Sequence, residues 1–214
     1  MKVTKEKAAQ NRAALVEAAA RLFRERGIDG VGVAEISKEA GLTHGALYAQ
    51  FSSKDALAAE ALAYGSQRAN RYMAAVKKGA ATTLRDQLDY YLSTDHRDNL
   101  GGGCAMAASA SEIARQADEI SARFSEGFEQ LVGIVEATLG EGSSRVGRHP
   151  RALALVAAMV GGVAVARAVV KSRPELSAEV LTAVRRILAE VGGEFRPAPA
   201  GRAASARSKP RRAP

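Results

Sequence analysis

The stretch VAEISKEAGLTHGALYAQF, residues 33–51, crowds several hydrogen-bonding groups into about two helical turns. In a helix starting near His44, the residues Leu42, Leu47 and Phe51 share one face and must pack inward. That leaves Thr43, His44, Gly45, Tyr48 and Gln50 on the other faces. A hydroxyl, an imidazole able to carry charge, a phenol, a carboxamide and a glycine permitting close approach suit phosphate oxygens and base edges. Lys54 falls where the next helix begins, and backbone N–H groups there also favour a phosphate. Each residue has a plainer use as well: Tyr48 as a core-edge tyrosine, His44 and Lys54 as solvated surface groups.

Cys104 is the single cysteine, so no intramolecular disulfide is possible and a reducing, cytoplasmic compartment is expected. It follows three glycines and opens a helical pattern (GGGCAMAASASEIA), where N–H groups could lower its pKa. Basic neighbours are lacking locally, apart from Arg97 or Arg115 folding back, and a free cysteine is more often a small buried residue. His44, His96 and His149 are scattered without metal-ligand spacing, so no metal site can be written. No nucleophile elbow, phosphate-binding loop or dinucleotide fingerprint occurs, so neither an enzyme nor a cofactor is expected.

The elements that must position these groups are helical throughout; no alternating strand pattern appears. Periodicity and capping predict helices over about Lys5–Arg26, Val33–Ala40 and His44–Phe51, then Lys54–Lys78, Thr83–Thr94, Cys104–Arg115, Asp118–Leu139, Pro150–Lys171 and Pro174–Val191. Gly27 is expected to stop the first helix, and Gly41 to turn between the second and third with positive φ. Thr43 and Ser52-Ser53 are expected caps. Two short helices joined by a glycine turn have helix-turn-helix spacing, a moderate signal by itself.

Net charge, +8, says less than it promises. Six basic and no acidic residues lie between Arg196 and Pro214, whereas the first 60 residues carry only +1. That Pro/Ala/Arg tail is expected to be disordered. The charged N-terminus is no signal peptide. The longest uncharged apolar run, Ala152–Ala166, has 15 residues against the roughly 20 of a bilayer span, so a buried interface helix is expected and no membrane.

On these residues the chain resembles the TetR family of regulators. The carriers are Leu15 to Phe23 (LVEAAARLF), Glu25-Arg26-Gly27, Val33, Ile36, Ala40-Gly41-Leu42, Gly45-Ala46-Leu47-Tyr48, Phe51 and Ser53 to Leu57 (SKDAL). The motif resemblance covers about residues 11–62. It implies that Tyr48 and Lys54 hold phosphates, that Thr43, His44 and Gly45 approach the groove, and that Asn11 and Arg12 contact phosphate from the start of the first helix. Gly32 departs from the pattern, since the family often has threonine there.

The expected fold is all-α: a three-helix helix-turn-helix domain over residues 1–53, a six-helix ligand-binding and dimerisation bundle over 54–195, and the basic tail from 196. Small apolar residues Ala158, Gly161, Gly162 and Val165, with Val184, Ile187 and Leu188 of the last helix, suit a homodimer interface. The resemblance implies an inducer site inside the bundle, with Tyr64, Tyr91, Met106, Phe124, Phe128 and Cys104 as candidates. Gly-Cys at this place also resembles family members that sense electrophiles or oxidants. The expected function is a dimeric repressor on palindromic operator DNA, released by an unidentified small molecule. The alternative is a helical ligand-binding protein with only non-specific DNA affinity.

Overall fold

The first helix, α1 (Lys5–Arg26), begins where Thr4 Oγ1 accepts the N–H of Lys7 at 3.2 Å. It ends at Gly27, whose N–H reaches Phe23 O and whose φ of +79° favours glycine. The stripe Leu15, Ala18, Ala19, Leu22 and Phe23 is buried. Against it sit α2 (Val33–Glu39) and α3 (His44–Tyr48), contributing Ile36 and Leu47, both fully buried. The computed structural model describes residues 4–76, 79–140 and 146–192. The basic segment 196–214 read as disordered lies outside the described residues.

Helix α4 (Lys54–Ala74) is the long strut of the molecule, capped by Ser53, whose Oγ accepts from Ala56 N at 3.0 Å. Its first half (Leu57, Ala58, Ala61, Leu62) completes the core around α1–α3. Its second half enters another core with α5 (Leu84–Tyr91), α7 (Ala105–Ile113), α8 (Asp118–Glu136), α9 (Arg148–Val169) and α10 (Pro174–Val191). Gly127 lets α8 lie close on α4: a Cβ there would meet Ser66 Cβ at 2.8 Å. The first core also takes in Ala105 and Ile113 of α7 and Ile120 of α8, so it runs past Ser53 into the bundle.

Among the described residues there are ten helices rather than the nine expected, all of them α and none paired with a strand. The addition is α6 (Thr94–Asp98), hidden in the sequence behind the end of α5. Ser93 Oγ accepts from His96 N at 3.1 Å and restarts the helix just after α5 closes. The bundle therefore has seven helices, one of them a single turn. Helix α3 is shorter than expected, stopping at Tyr48, although Phe51 N still reaches Leu47 O at 2.9 Å and keeps its inward register.

Helix α9 is long and apolar enough to cross a bilayer by length and composition alone. Here one face (Ala152, Leu155, Val156, Met159, Val163, Ala166) is buried, packed mainly on α8 and α10. Its two inward arginines are held by protein carbonyls, Arg151 by Gly140 O at 3.0 Å and Arg167 by Arg97 O at 2.9 Å.

Candidate nucleic-acid interface and the cavity behind it

The turn between α2 and α3 is made by Gly41, φ +68°, with Leu42 N donating to Ser37 O at 2.8 Å. Ser37 is itself buried, its Oγ donating to Val33 O. Leu47 and Phe51 then point into the core, and Thr43, His44, Gly45 and Tyr48 emerge together on one exposed surface. Tyr48 is 54% exposed and meets the His44 ring edge-on, centroids 5.3 Å apart. It is therefore no core-edge tyrosine. Thr43 has the extended backbone of a cap, but its hydroxyl makes no capping bond. Half-buried Lys54 stands at the first position of α4.

The two phosphate contacts implied at the start of the first helix, Asn11 and Arg12, behave differently from one another. Arg12 turns back onto the domain: Nη1 donates to Gln50 O at 2.5 Å, Nη2 pairs with Glu60, and the guanidinium lies 4.1 Å over the Phe51 ring. Arg12 thus ties α1 to the end of α3 and to α4, a positioning task, and the Gln50 carbonyl is its anchor. Asn11 is half-buried beside it. Gly32 caps α2 with its backbone only, and a Cβ there would meet nothing within 4 Å.

Behind this surface a cavity of about 260 Å³ lies among α4, α5, α6, α7 and α8. Tyr91, Cys104 and Met106, three of the sequence-derived candidates, line it; Tyr64, Phe124 and Phe128 do not. Tyr64 packs on the first core beside Arg24, while Phe124 and Phe128 line a separate groove on the far side of α8 with His149 and Leu153. The family resemblance implied an inducer site inside the bundle and these three were named for it as aromatic residues, but neither the resemblance nor residue type says which groove a side chain meets. Ser66, Asn70 and His96 line the cavity and were not anticipated.

Cys104 is buried at the N-terminus of α7, and its N–H donates to His96 Nε2 at 3.1 Å. Burial, aided by Arg167, lowers the His96 pKa to about 4, so the imidazole is neutral near pH 7. Burial likewise raises the Tyr91 phenol well above its usual range, with Cys104 adding to the effect. The expected basic neighbours, Arg97 and Arg115, go elsewhere: Arg97 pairs with Asp98, and Arg115 bonds Ser111 O. Arg167 takes that place instead, its Nη2 donating to His96 O at 3.1 Å. Arg167 comes from α9, 63 positions along the chain, so spacing held no signal for it. The close backbone approach at Gly103, where a Cβ would meet Asn99 O at 2.4 Å, was the one local clue.

Contacts from α1 reach the turn that borders this cavity. Arg24 Nε donates to Gly101 O at 2.8 Å, and its Nη2 reaches the same oxygen. Ile28 N donates to Glu112 of α7 at 2.9 Å, beside Gly27.

At the opposite end, Gly161, Val165 and Ile187 are exposed and Ala158 and Val184 half-buried, as an interface would need. Gly162 and Leu188, read as interface residues, belong to the chain's own interior instead. Gly162 sits against Val184 and Leu92, and Leu188 is 7% exposed within the second core. Leu153 and Val191 complete the exposed apolar face.

A glycine-turned helix pair carried on a helical bundle is a helix-turn-helix arrangement. Residues 15–61 match the family model described as bacterial regulatory proteins, tetR family. The chain is 45% identical over 51 residues to the HTH-type transcriptional regulator TtgR of Pseudomonas putida, covering 24% of each protein. It is 39% identical over 57 residues to AcrR of Shigella flexneri, 27% of this chain and 26% of that one. The matched stretch thus spans about a quarter of these relatives' length. The structure of a TetR transcriptional regulator from Chloroflexus aurantiacus superposes with a TM-score of 0.70 at 26% identity, over 86% of this chain and 95% of that one. Over residues 15–61 the chain is thus similar to the tetR family, and its fold is similar to that of a TetR transcriptional regulator.

Proposed function

We propose that the chain is a ligand-responsive repressor that binds a palindromic operator as a homodimer and is released when its cavity is filled. The observation that carries this reading is the exposed cluster Thr43, His44, Gly45 and Tyr48 on a rigidly cored α3, with Lys54 at the start of α4. Tyr48 and Lys54 hold phosphates; Thr43, His44 and Gly45 meet the groove, with Gln50 and Asn11 at its margin. A reading helix this short covers few base pairs, so two copies on half-sites one DNA turn apart, about 34 Å, are needed. The outward apolar stripes Leu153, Gly161 and Val165 of α9 and Ile187 and Val191 of α10 supply the face that pairs them.

Ligand enters the cavity lined by Tyr91, Cys104 and Met106, and Cys104 is the group there that an electrophile would modify. The protein works in the cytoplasm, without a catalytic role and without a membrane partner. Its basic C-terminal residues add sequence-independent affinity for phosphates.

The test is selection of preferred DNA from a random pool, followed by salt-titrated binding of the enriched and random sequences. An enriched inverted repeat bound far more tightly than random DNA is expected. Equal affinity for all sequences would point to the helical ligand-binding alternative.

A further inference from the structure

We propose that the cavity takes a compact aromatic acid, a single ring bearing a carboxylate; this rests on reading the cavity as the regulator's ligand site. Size comes first. A cavity of roughly 150 Å³ accommodates benzene, so about 260 Å³ holds one ring with a substituent and excludes a large polycyclic molecule. The walls suit a ring. Tyr72, Tyr90 and His96 form a run of aromatic faces with centroids 4.8 and 5.1 Å apart, and Met73 and Leu131 add apolar surface.

The polar groups select what the ring must carry. The Cys104 N–H occupies His96 Nε2 as an acceptor, so the neutral imidazole bears its proton on Nδ1. That Nδ1 is buried and has no partner. Tyr91 Oη, on a residue 1% exposed, has only the soft Cys104 thiol beside it and no nitrogen or oxygen partner. Two donors in one cavity thus lack acceptors, and buried donors are rarely left so. The oxygens of a carboxylate answer both.

Charge separates an acid from a neutral carbonyl. At the mouth Arg68 and Asp95 are exposed and cancel. Behind the lining, Arg167 Nη1 is buried without a partner, and the acidic group that acts on Arg167 is Asp98, exposed and already paired with Arg97; no ion pair among the described residues includes Arg167 or Arg24. The uncompensated charge next to His96 is therefore positive, which favours an anion over a cation at that wall.

Calorimetric titration of the DNA-free protein with benzoate, benzamide and toluene tests this. Benzoate is expected to bind at least about tenfold more tightly than benzamide, and toluene more weakly still. Tyr91→Phe, which deletes one oxygen and should still fold, is expected to weaken benzoate about tenfold, the scale of one hydrogen bond to a charged group. A thermal melt of the variant confirms that it is folded. Equal affinity for benzamide, an unchanged affinity in folded Tyr91→Phe, or no benzoate heat at millimolar concentration overturns the assignment. The readout contains no DNA, so it stands apart from the regulatory reading. Benzoate binding that leaves operator affinity untouched keeps the ligand class and removes its coupling to DNA. A silent calorimeter beside an operator response to another compound removes the ligand class alone.

Discussion

The backbone N–H of Cys104 and the imidazole of His96 are joined by a 3.1 Å hydrogen bond in which the ring nitrogen is the acceptor. This bond exists only while His96 is neutral. It couples the start of α7 to the protonation state of a residue on α6, inside the cavity that the proposed ligand enters.

The first prediction follows from that coupling. Unfolded His96 takes up a proton as the pH falls below about 6.5, whereas in the folded chain burial postpones this to about pH 4. Between those values the unfolded state binds more protons, so stability rises with pH. The contribution is complete above pH 6.5 and shrinks on acidification toward pH 4, by up to about 3 kcal/mol. Urea unfolding at pH 4.5 and 7 in wild type and His96→Gln checks it: the variant should lose part of the slope. A His96 imidazole resonance, assigned by its loss in His96→Gln, that titrates near pH 6.5 in the folded chain would count against the buried neutral ring.

Lys54 and Tyr48 should be distinguishable by salt. Lys54→Ala removes a cation, so operator affinity falls and the slope of log affinity against log salt flattens by about one. Tyr48→Phe removes a neutral donor; affinity drops about five- to tenfold with the slope kept. Operator titrations at several salt concentrations measure both. If neither variant changes affinity, the exposed face of α3 is not the reading surface.

Gly32 caps α2 in an ordinary extended conformation, φ −88°, with open space where a side chain would go. Gly32→Thr is therefore expected to stabilise the fold by about 0.5 kcal/mol, through a hydroxyl cap and a less flexible unfolded chain. It should also tighten operator binding by offering one more hydroxyl to the backbone. Thermal melts and operator titration check the two effects separately, and a loss of stability would contradict the cap geometry.

Ile187 and Leu188 are neighbours in sequence with opposite roles: Ile187 is 54% exposed and Leu188 only 7%. Ile187→Glu should leave a folded chain that sediments as a monomer at micromolar concentration and loses operator affinity. Leu188→Ala should instead cost about 2–5 kcal/mol of stability through the cavity it leaves. Intact dimers of Ile187→Glu would place the interface elsewhere.

The helix-turn-helix was legible because its constraints are local. Gly41 needs positive φ, Leu47 and Phe51 repeat at a helical interval, and Ser53 caps within three residues. Helix α6 was not, because Ser93 reads equally as a late residue of α5 or as a new cap. The cavity was legible only in part. Tyr91 and Cys104 announce themselves by type, but the groups that define their chemistry, His96 and Arg167, arrive from other helices. Helix α9 is apolar around most of its circumference, so periodicity could not separate Gly162, spent inside the chain, from Gly161 beside it on the outside.

The first core does not stop at the start of α4: Leu57, Ala61 and Leu62, then Ala105, Ile113 and Ile120, share one interior with Leu15 and Leu47. Arg24 and Ile28 add hydrogen bonds to Gly101 and Glu112. A chain cut after Ser53 would open that interior to water. The helix-turn-helix unit is consequently not a cassette that can be excised or grafted by itself. A transplant into another bundle would have to carry the inner faces of α7 and α8, and with them part of the cavity wall.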